Sequence, residues 1–175
     1  WCSPVEDQDS IGSCTAHAGV GLIEYYERRA FGRHLDASRL FLYKVARNLL
    51  HWKGDTGAWL RTTMKAMVLF GVPPEEYWPY DISKYDKEPN AFCYAFAQNY
   101  QSIRYYRLET PNLKTDKLLS RLQGFLAAGY PLMFGFTVYN FGNKNGDIDF
   151  PGPNDSTQGG HAVMAVGYDN SRKIG

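Results

Sequence analysis

The stretch Gln8-Asp9-Ser10-Ile11-Gly12-Ser13-Cys14-Thr15-Ala16 decides how this chain is read. Asp9 to Ser13 is turn-forming, and Ser13 is a candidate N-cap for a helix running from Cys14 toward Ala30. Val20, Ile23, Tyr26 and Ala30 recur at helical spacing, and Gly32 sits where a helix stop belongs. A cysteine in the first turn of such a helix faces unpaired backbone N–H groups and the positive end of the helix dipole. Both favour thiolate over thiol, and the thiolate is the nucleophile. Gln8, on the lead-in to the same turn, can donate its side-chain amide to a developing oxyanion, beside the Cys14 N–H. A small buried cysteine at a helix start is the competing reading of these residues.

Outward from this stretch the chain divides by character. Cys2 to Gln8 reads as an extended lead-in. Further helices are expected from Ser38 to His51, from about Ala58 to Phe70 with Gly71 and Pro73-Pro74 barring continuation, and over Asn90 to Gln98. Near Tyr100 the pattern changes. Gln101 to Leu108 alternates and is rich in Ile and Tyr, which predicts a strand. Leu118 to Ala128 predicts one more helix. Pro131 to Tyr139 and His161 to Tyr168 predict apolar strands, with Asn140 to Gly160 a long Gly-, Asn-, Asp- and Pro-rich loop between them. Helices first and strands later imply α+β with two segregated parts.

Composition narrows the function classes. The chain is 44% apolar and 21% charged, so it has the means to build a core and lacks the signature of disorder. Lys and Arg total 19 against 18 Asp and Glu, which gives no electrostatic reason for a nucleic-acid or anionic-membrane partner. No apolar run approaches the length of a transmembrane helix. The three cysteines, Cys2, Cys14 and Cys93, are too few for a disulfide scaffold; Cys2 and Cys93 either pair or remain thiols. No Cys-x-x-Cys or His-Glu-x-x-His spacing marks a metal site, and no cofactor is expected.

Of the four histidines, His161 stands out. It lies in Gly159-Gly160-His161-Ala162-Val163-Met164-Ala165-Val166-Gly167-Tyr168, at the start of an apolar strand behind a glycine pair that leaves room for a substrate backbone. His17 is one helical turn past Cys14, where its side chain points away from the exposed helix tip. His34 and His51 carry no motif and read as surface or satisfied core residues.

Gln8, Gly12, Ser13 and Cys14 together resemble the nucleophile segment of the papain family of cysteine peptidases, which carries a Cys-Gly-[Ser/Ala]-Cys-[Trp/Tyr] signature with its His and Asn roughly 130–150 residues downstream. His161 falls inside that window, in a His-Ala-Val…Val-Gly-Tyr strand similar to the family's. The chain departs from the signature at Ile11, which removes one half of a family disulfide, and at Thr15, which replaces an aromatic. Asp55-Thr56-Gly57-Ala58 resembles the family's glycine turn, whose backbone pairs with an extended substrate like an added strand; Gly57 and Ala58 are the candidates. Gly135 and Ala162 fall where the family builds its main specificity pocket, and Gly160, of the glycine pair before His161, is a further substrate-binding candidate. Small residues there imply a roomy apolar pocket for a bulky side chain two residues before the scissile bond. The family's third catalytic member is an Asn in an Asn-Ser-Trp segment beyond the His strand. The sequence reaches Gly175 before any such segment, so that Asn is expected to lie outside the sequence or to have been lost. Asp169 and Asn170 are poor substitutes, about 26 Å along the strand from His161 at about 3.3 Å per residue.

The resemblance thus implies a two-lobed papain-like fold. Residues 1–13 form a lead-in strand of the β lobe and a turn, 14–99 a helical lobe with the nucleophile, and 100–175 an antiparallel β-rich lobe with the base, its C-terminal part incomplete. These form one peptidase domain with its cleft between the lobes. It implies a cysteine endopeptidase in which Cys14, His161 and Gln8 are catalytic. Its partners would be a protein or peptide substrate and a propeptide or inhibitor protein in the cleft. A secreted or translocated location is favoured on the same resemblance. The alternatives are an inactive papain-like module that binds peptides or a partner protein, and another Cys-His amidase or acyltransferase.

Overall fold

In the computed structural model, which describes residues 1–140 and 147–171, the order of elements is helices first and a sheet last. Helix α1 (Cys14–Phe31) is followed by α2 (Arg39–Leu50), α3 (Leu60–Leu69), the short α4 (Ala91–Ala97) and α5 (Thr115–Ala127). Strands β1 (Leu132–Tyr139) and β2 (Thr157–Ala165) then pair antiparallel. Three 3-10 turns lie at Glu75–Tyr77, Ile82–Lys84 and Gln98–Tyr100.

The core is organised around α2. Leu40, Phe41, Leu42 and Tyr43 have no exposed surface, and Val45, Ala46 and Arg47 are equally buried. A helix buried nearly all round belongs at the centre of a fold, and α1 and α3 pack against it. Gly19 allows the three to close up: a Cβ there would stand 3.0 Å from both Leu42 Cδ2 and Met67 Sδ. The buried charges on α2 are paired, as burial demands. Arg47 donates to Asp86 (2.9 Å) and to the Gly54 and Tyr85 carbonyls, and Lys44 reaches Asp86 at 3.3 Å.

Local punctuation set the helix ends. Ser38 caps α2 by accepting the Phe41 N–H, Asn90 caps α4 by accepting the Cys93 N–H, and Gly32 ends α1 in the left-handed region at φ 71°. Ser13 occupies the N-cap position of α1 but makes no capping hydrogen bond; its hydroxyl is used elsewhere. The predicted buried face of α1 also needs correcting. Val20 and Ile23 are buried, whereas Tyr26 and Ala30 are exposed, because the last turns of α1 run out past the core.

The predicted strand over 101–108 is not present, and the lead-in, residues 1–13, holds no strand either. Ser102 N–H bonds the Met67 carbonyl, and Gln101 caps the end of α3 through the Val68 and Leu69 carbonyls. Alternation is a local pattern, but a strand exists only where a neighbour completes its ladder, and among the described residues none does. Helix α5 begins three residues earlier than expected and is tied to α1 through Tyr25 and Arg29, which both donate to the Gly129 carbonyl. Strand β2 also begins early. Thr157 to Gly160, assigned to the loop from sequence, pair with β1, and the strand ends at Ala165 rather than Tyr168. Of the expected long loop, residues 141–146 lie outside the described residues. The register sets Phe136 opposite His161 and Gly135 opposite Ala162. Helix α1 packs on β2, with Gly21 against Met164, which carries the histidine strand to the nucleophile helix.

Candidate active site

Cys14 is the first residue of α1 and is half-buried between two buried neighbours, Ser13 and Thr15. All three cysteines are free thiols: Cys2 is exposed, Cys14 half-buried and Cys93 buried. The Cys2–Cys93 pairing left open by the sequence is therefore absent. The Cys93 thiol faces the Tyr77 carbonyl at 3.4 Å, and burial raises its pKa.

The turn before Cys14 is held by a chain of hydrogen bonds. The Gln8 side-chain amide donates to the Ile11 carbonyl (3.0 Å), which also accepts the Ser13 N–H (2.8 Å). Tyr80 O–H donates to the Gln8 carbonyl at 2.8 Å. Its single proton is then spent, so in the 2.6 Å contact between Ser13 Oγ and Tyr80 Oη the serine donates. With the serine proton also spent, His17 Nδ1, at 3.3 Å from Ser13 Oγ and 3.2 Å from the Ser13 carbonyl, carries hydrogen and donates. Burial lowers the His17 pKa; Ser13 and Asp7 oppose this, and the nearby His161 adds to it. His17 thus braces the nucleophile turn and stacks edge-on against Tyr80, with ring centroids 5.1 Å apart.

His161 is half-buried on β2, edge-on to the ring of Phe136 across the ladder at 5.8 Å. It lies near enough to His17, one turn from Cys14, to act on its charge. Gly135 and Ala162 sit side by side in the same register, with Leu60 of α3 over Gly135: a Cβ there would meet Leu60 Cδ1 at 3.3 Å. Gly160 is exposed, with open space where a side chain would stand.

The glycine turn lies directly against the nucleophile turn. Asp55 Oδ1 accepts the Gly12 N–H (2.8 Å) and the Tyr43 hydroxyl proton, and the Tyr43 oxygen in turn accepts the Gly57 N–H (3.1 Å). Gly57 has φ 71°, which only glycine adopts freely. The Gly57 N–H is thus engaged within the fold, whereas the neighbouring Ala58 backbone bonds none of the described residues.

The structure therefore joins Gln8 to the Cys14 turn, Gly57 to Gly12, and Gly135 to Ala162. Sequence reasoning missed Tyr43, Asp55 and Tyr80. Tyr43 reads as core in an apolar helix, Asp55 as a turn former, and Tyr80 as part of a Trp-Pro-Tyr-Asp turn. Each acquires its role through a partner distant in sequence, for which no local signal exists. As to metals, among the described residues Glu24, His34 and Asp36 bring ligand atoms within 4.8 Å of one another. Glu24 already accepts the Ala37 N–H at 3.0 Å.

A family model described as papain family cysteine protease matches residues 1–174. The chain is 33% identical to an uncharacterized peptidase C1-like protein of Acanthamoeba polyphaga mimivirus, with 95% of this chain aligned; it spans 56% of that relative's length. The crystal structure of xylellain, a cysteine protease from Xylella fastidiosa, is 35% identical and superposes with a TM-score of 0.81, covering 97% of this chain and 68% of that one. The digestive procathepsin L 3 of Tenebrio molitor larval midgut shares the fold at 20% identity and a TM-score of 0.65, covering 97% of this chain and 53% of that one. The α+β, two-lobed arrangement expected from the sequence is the fold these proteins share. By its matched span and its relatives, the chain belongs to the papain family of cysteine proteases.

Proposed function

We propose that this chain is the catalytic unit of a cysteine endopeptidase in which Cys14 is the nucleophile and His161 the general base and acid. The observation that carries the reading is the half-buried thiol at the N-terminus of an 18-residue helix, with the histidine strand packed on that helix. Residues 1–13, 14–99 and 100–175 are read as lead-in, helical lobe and β-rich lobe of one peptidase domain.

The Cys14 thiolate attacks the scissile carbonyl carbon, and the carbonyl π electrons move to oxygen. The Cys14 N–H bonds none of the described residues, and Gln8 has a second amide hydrogen besides the one given to Ile11; these two donors receive the oxyanion. The C–N bond breaks as the imidazolium of His161 protonates the departing amine. Neutral His161 then takes a proton from water, whose oxygen attacks the thioester. Collapse releases the carboxylic acid and returns the thiolate–imidazolium pair. Substrate backbone pairs at Gly57-Ala58, through Ala58 in particular because the Gly57 N–H is engaged with Tyr43. Gly135 and Ala162 leave space for an apolar side chain, and Gly160 for the substrate backbone. A propeptide or inhibitor protein occupies the same cleft.

The test is the rate of iodoacetamide alkylation at Cys14 against pH, read by mass spectrometry of the Cys14 peptide because Cys2 is also exposed. Rapid modification persisting well below pH 7, and lost in His161→Ala, is expected. A rate that rises only near about pH 8.5 in both forms is that of an ordinary thiol. It would sink the peptidase reading in favour of an inactive peptide-binding module.

A further inference from the structure

The nucleophile turn and the glycine turn are distant in sequence, and no disulfide joins them, since all three cysteines are free. A single hydrogen-bonded knot joins them instead. Asp55 Oδ1 accepts two hydrogen bonds, one from the Gly12 N–H at 2.8 Å and one from the Tyr43 hydroxyl, and the Tyr43 oxygen accepts a third from the Gly57 N–H at 3.1 Å. The set is matched donor to acceptor: two backbone N–H donors, one hydroxyl that both donates and accepts, and one carboxylate oxygen that only accepts. The fit is close. A Cβ on Gly12 would lie 3.3 Å from both Asp55 Oδ1 and the Gly57 nitrogen.

The knot is anchored at its far end. Tyr43 lies on α2 with no exposed surface, and the guanidinium of Arg47, one turn on, stacks over its ring at 4.1 Å. Arg47 also holds the Gly54 carbonyl, while the Gly54 N–H is accepted by Asp86 at 3.2 Å. The segment 54–57 is therefore fastened at both ends to the core helix, and through Asp55 to the turn that presents Cys14.

Resting on the peptidase reading above, we propose that Asp55 and Tyr43 are positioning residues. They fix the glycine turn against the nucleophile turn, so that a peptide paired along residues 57–58 brings its scissile carbonyl to Cys14. Neither residue touches the reacting atoms. Their loss misaligns an extended substrate and leaves the thiol itself in place.

The experiment compares Tyr43→Phe, which keeps the buried ring and removes only the oxygen, with Asp55→Ala and Asp55→Asn in the full chain. Each is assayed with peptide substrates of increasing length before the scissile bond and with iodoacetamide at Cys14. Expected is a fall of about 10- to 100-fold in kcat/KM for the longest peptide in Tyr43→Phe and Asp55→Ala, the scale of a small misplacement of reacting groups. The fall shrinks for shorter peptides, Asp55→Asn restores part of it by keeping an acceptor for Gly12, and the iodoacetamide profile is that of the parent. Peptide kinetics equal to the parent's, with the parent's alkylation profile intact, would overturn the positioning role and leave the peptidase reading standing. Alkylation falling in step with turnover would overturn it too, because the pair would then be supporting the nucleophile or the fold. A parent whose Cys14 behaves as an ordinary thiol and turns over no peptide would refute the peptidase reading itself, and this role with it.

Discussion

Gly32 and Gly71 have nearly the same backbone, at φ 71° and 75°, and quite different surroundings. Gly32 ends α1 with nothing within 4 Å of where a Cβ would stand. At Gly71, behind α3, the same Cβ would overlap the carbonyl oxygen of Ala97, lie 2.8 Å from its carbon, and stand 3.1 Å from Gln101 Cγ. Carbon atoms prefer about 3.5–4.0 Å, and the obstacle is backbone at a fully buried residue rather than the end of a mobile side chain. Gly32→Ala therefore carries only the left-handed strain, about 1–2 kcal/mol, offset by about 0.4–1 kcal/mol from a stiffer unfolded chain. The net cost is about 1 kcal/mol. Gly71→Ala adds overpacking of about 1–3 kcal/mol, for a total of about 2–4 kcal/mol. Since Gln101 and Ser102 bond the last carbonyls of α3, the displaced backbone also disturbs that seam. Urea unfolding followed by tryptophan fluorescence, with the slope checked to be common to all three proteins, measures both costs. Equal losses for the two variants would refute the reasoning, because the strain is shared and only the steric contribution differs.

Two further outcomes follow, one from a buried carboxyl and one from the β1–β2 pair. Burial raises the Glu24 pKa above its ordinary 4.5, against the Ala37 N–H and neighbouring groups that lower it. The folded state then holds this proton more tightly than the unfolded one, so its contribution favours folding below about pH 4.5 and is lost as pH rises through the folded value. Glu24→Gln should gain melting temperature relative to the parent across that interval and then level off; a difference independent of pH would contradict this. Gly135→Leu places a side chain against Leu60, beside Ala162. It should lower kcat/KM for peptides with a bulky residue two before the scissile bond far more than for peptides with alanine there; an equal loss for both would place the pocket elsewhere.

The helical half was legible residue by residue because its signals are local. Ser38, Asn90 and Gly32 mark helix ends through hydrogen bonds or torsions within a few residues of themselves. Cys14 falls at a helix start because turn residues precede a helix-forming run, and that placement carries the nucleophile proposal. The β-rich half was less legible because a strand depends on what lies beside it. The Ile- and Tyr-rich stretch 101–108 alternates yet has no ladder partner among the described residues, while Gly159 and Gly160, weak strand formers, are drawn into β2 by β1. The bracing of the site was not legible at all. Ser13 looked like a cap, but its hydroxyl goes to Tyr80. Tyr43 looked like core and Asp55 like a turn, but together they tie Gly12 to Gly57. The sequence by itself singled out Cys14, Gln8 and His161 as candidates and marked where the helix that begins at Cys14 starts and stops. Only the tertiary structure decided what holds those residues in place, because a hydrogen bond between distant segments depends on how the chain packs and leaves no periodic trace in either segment.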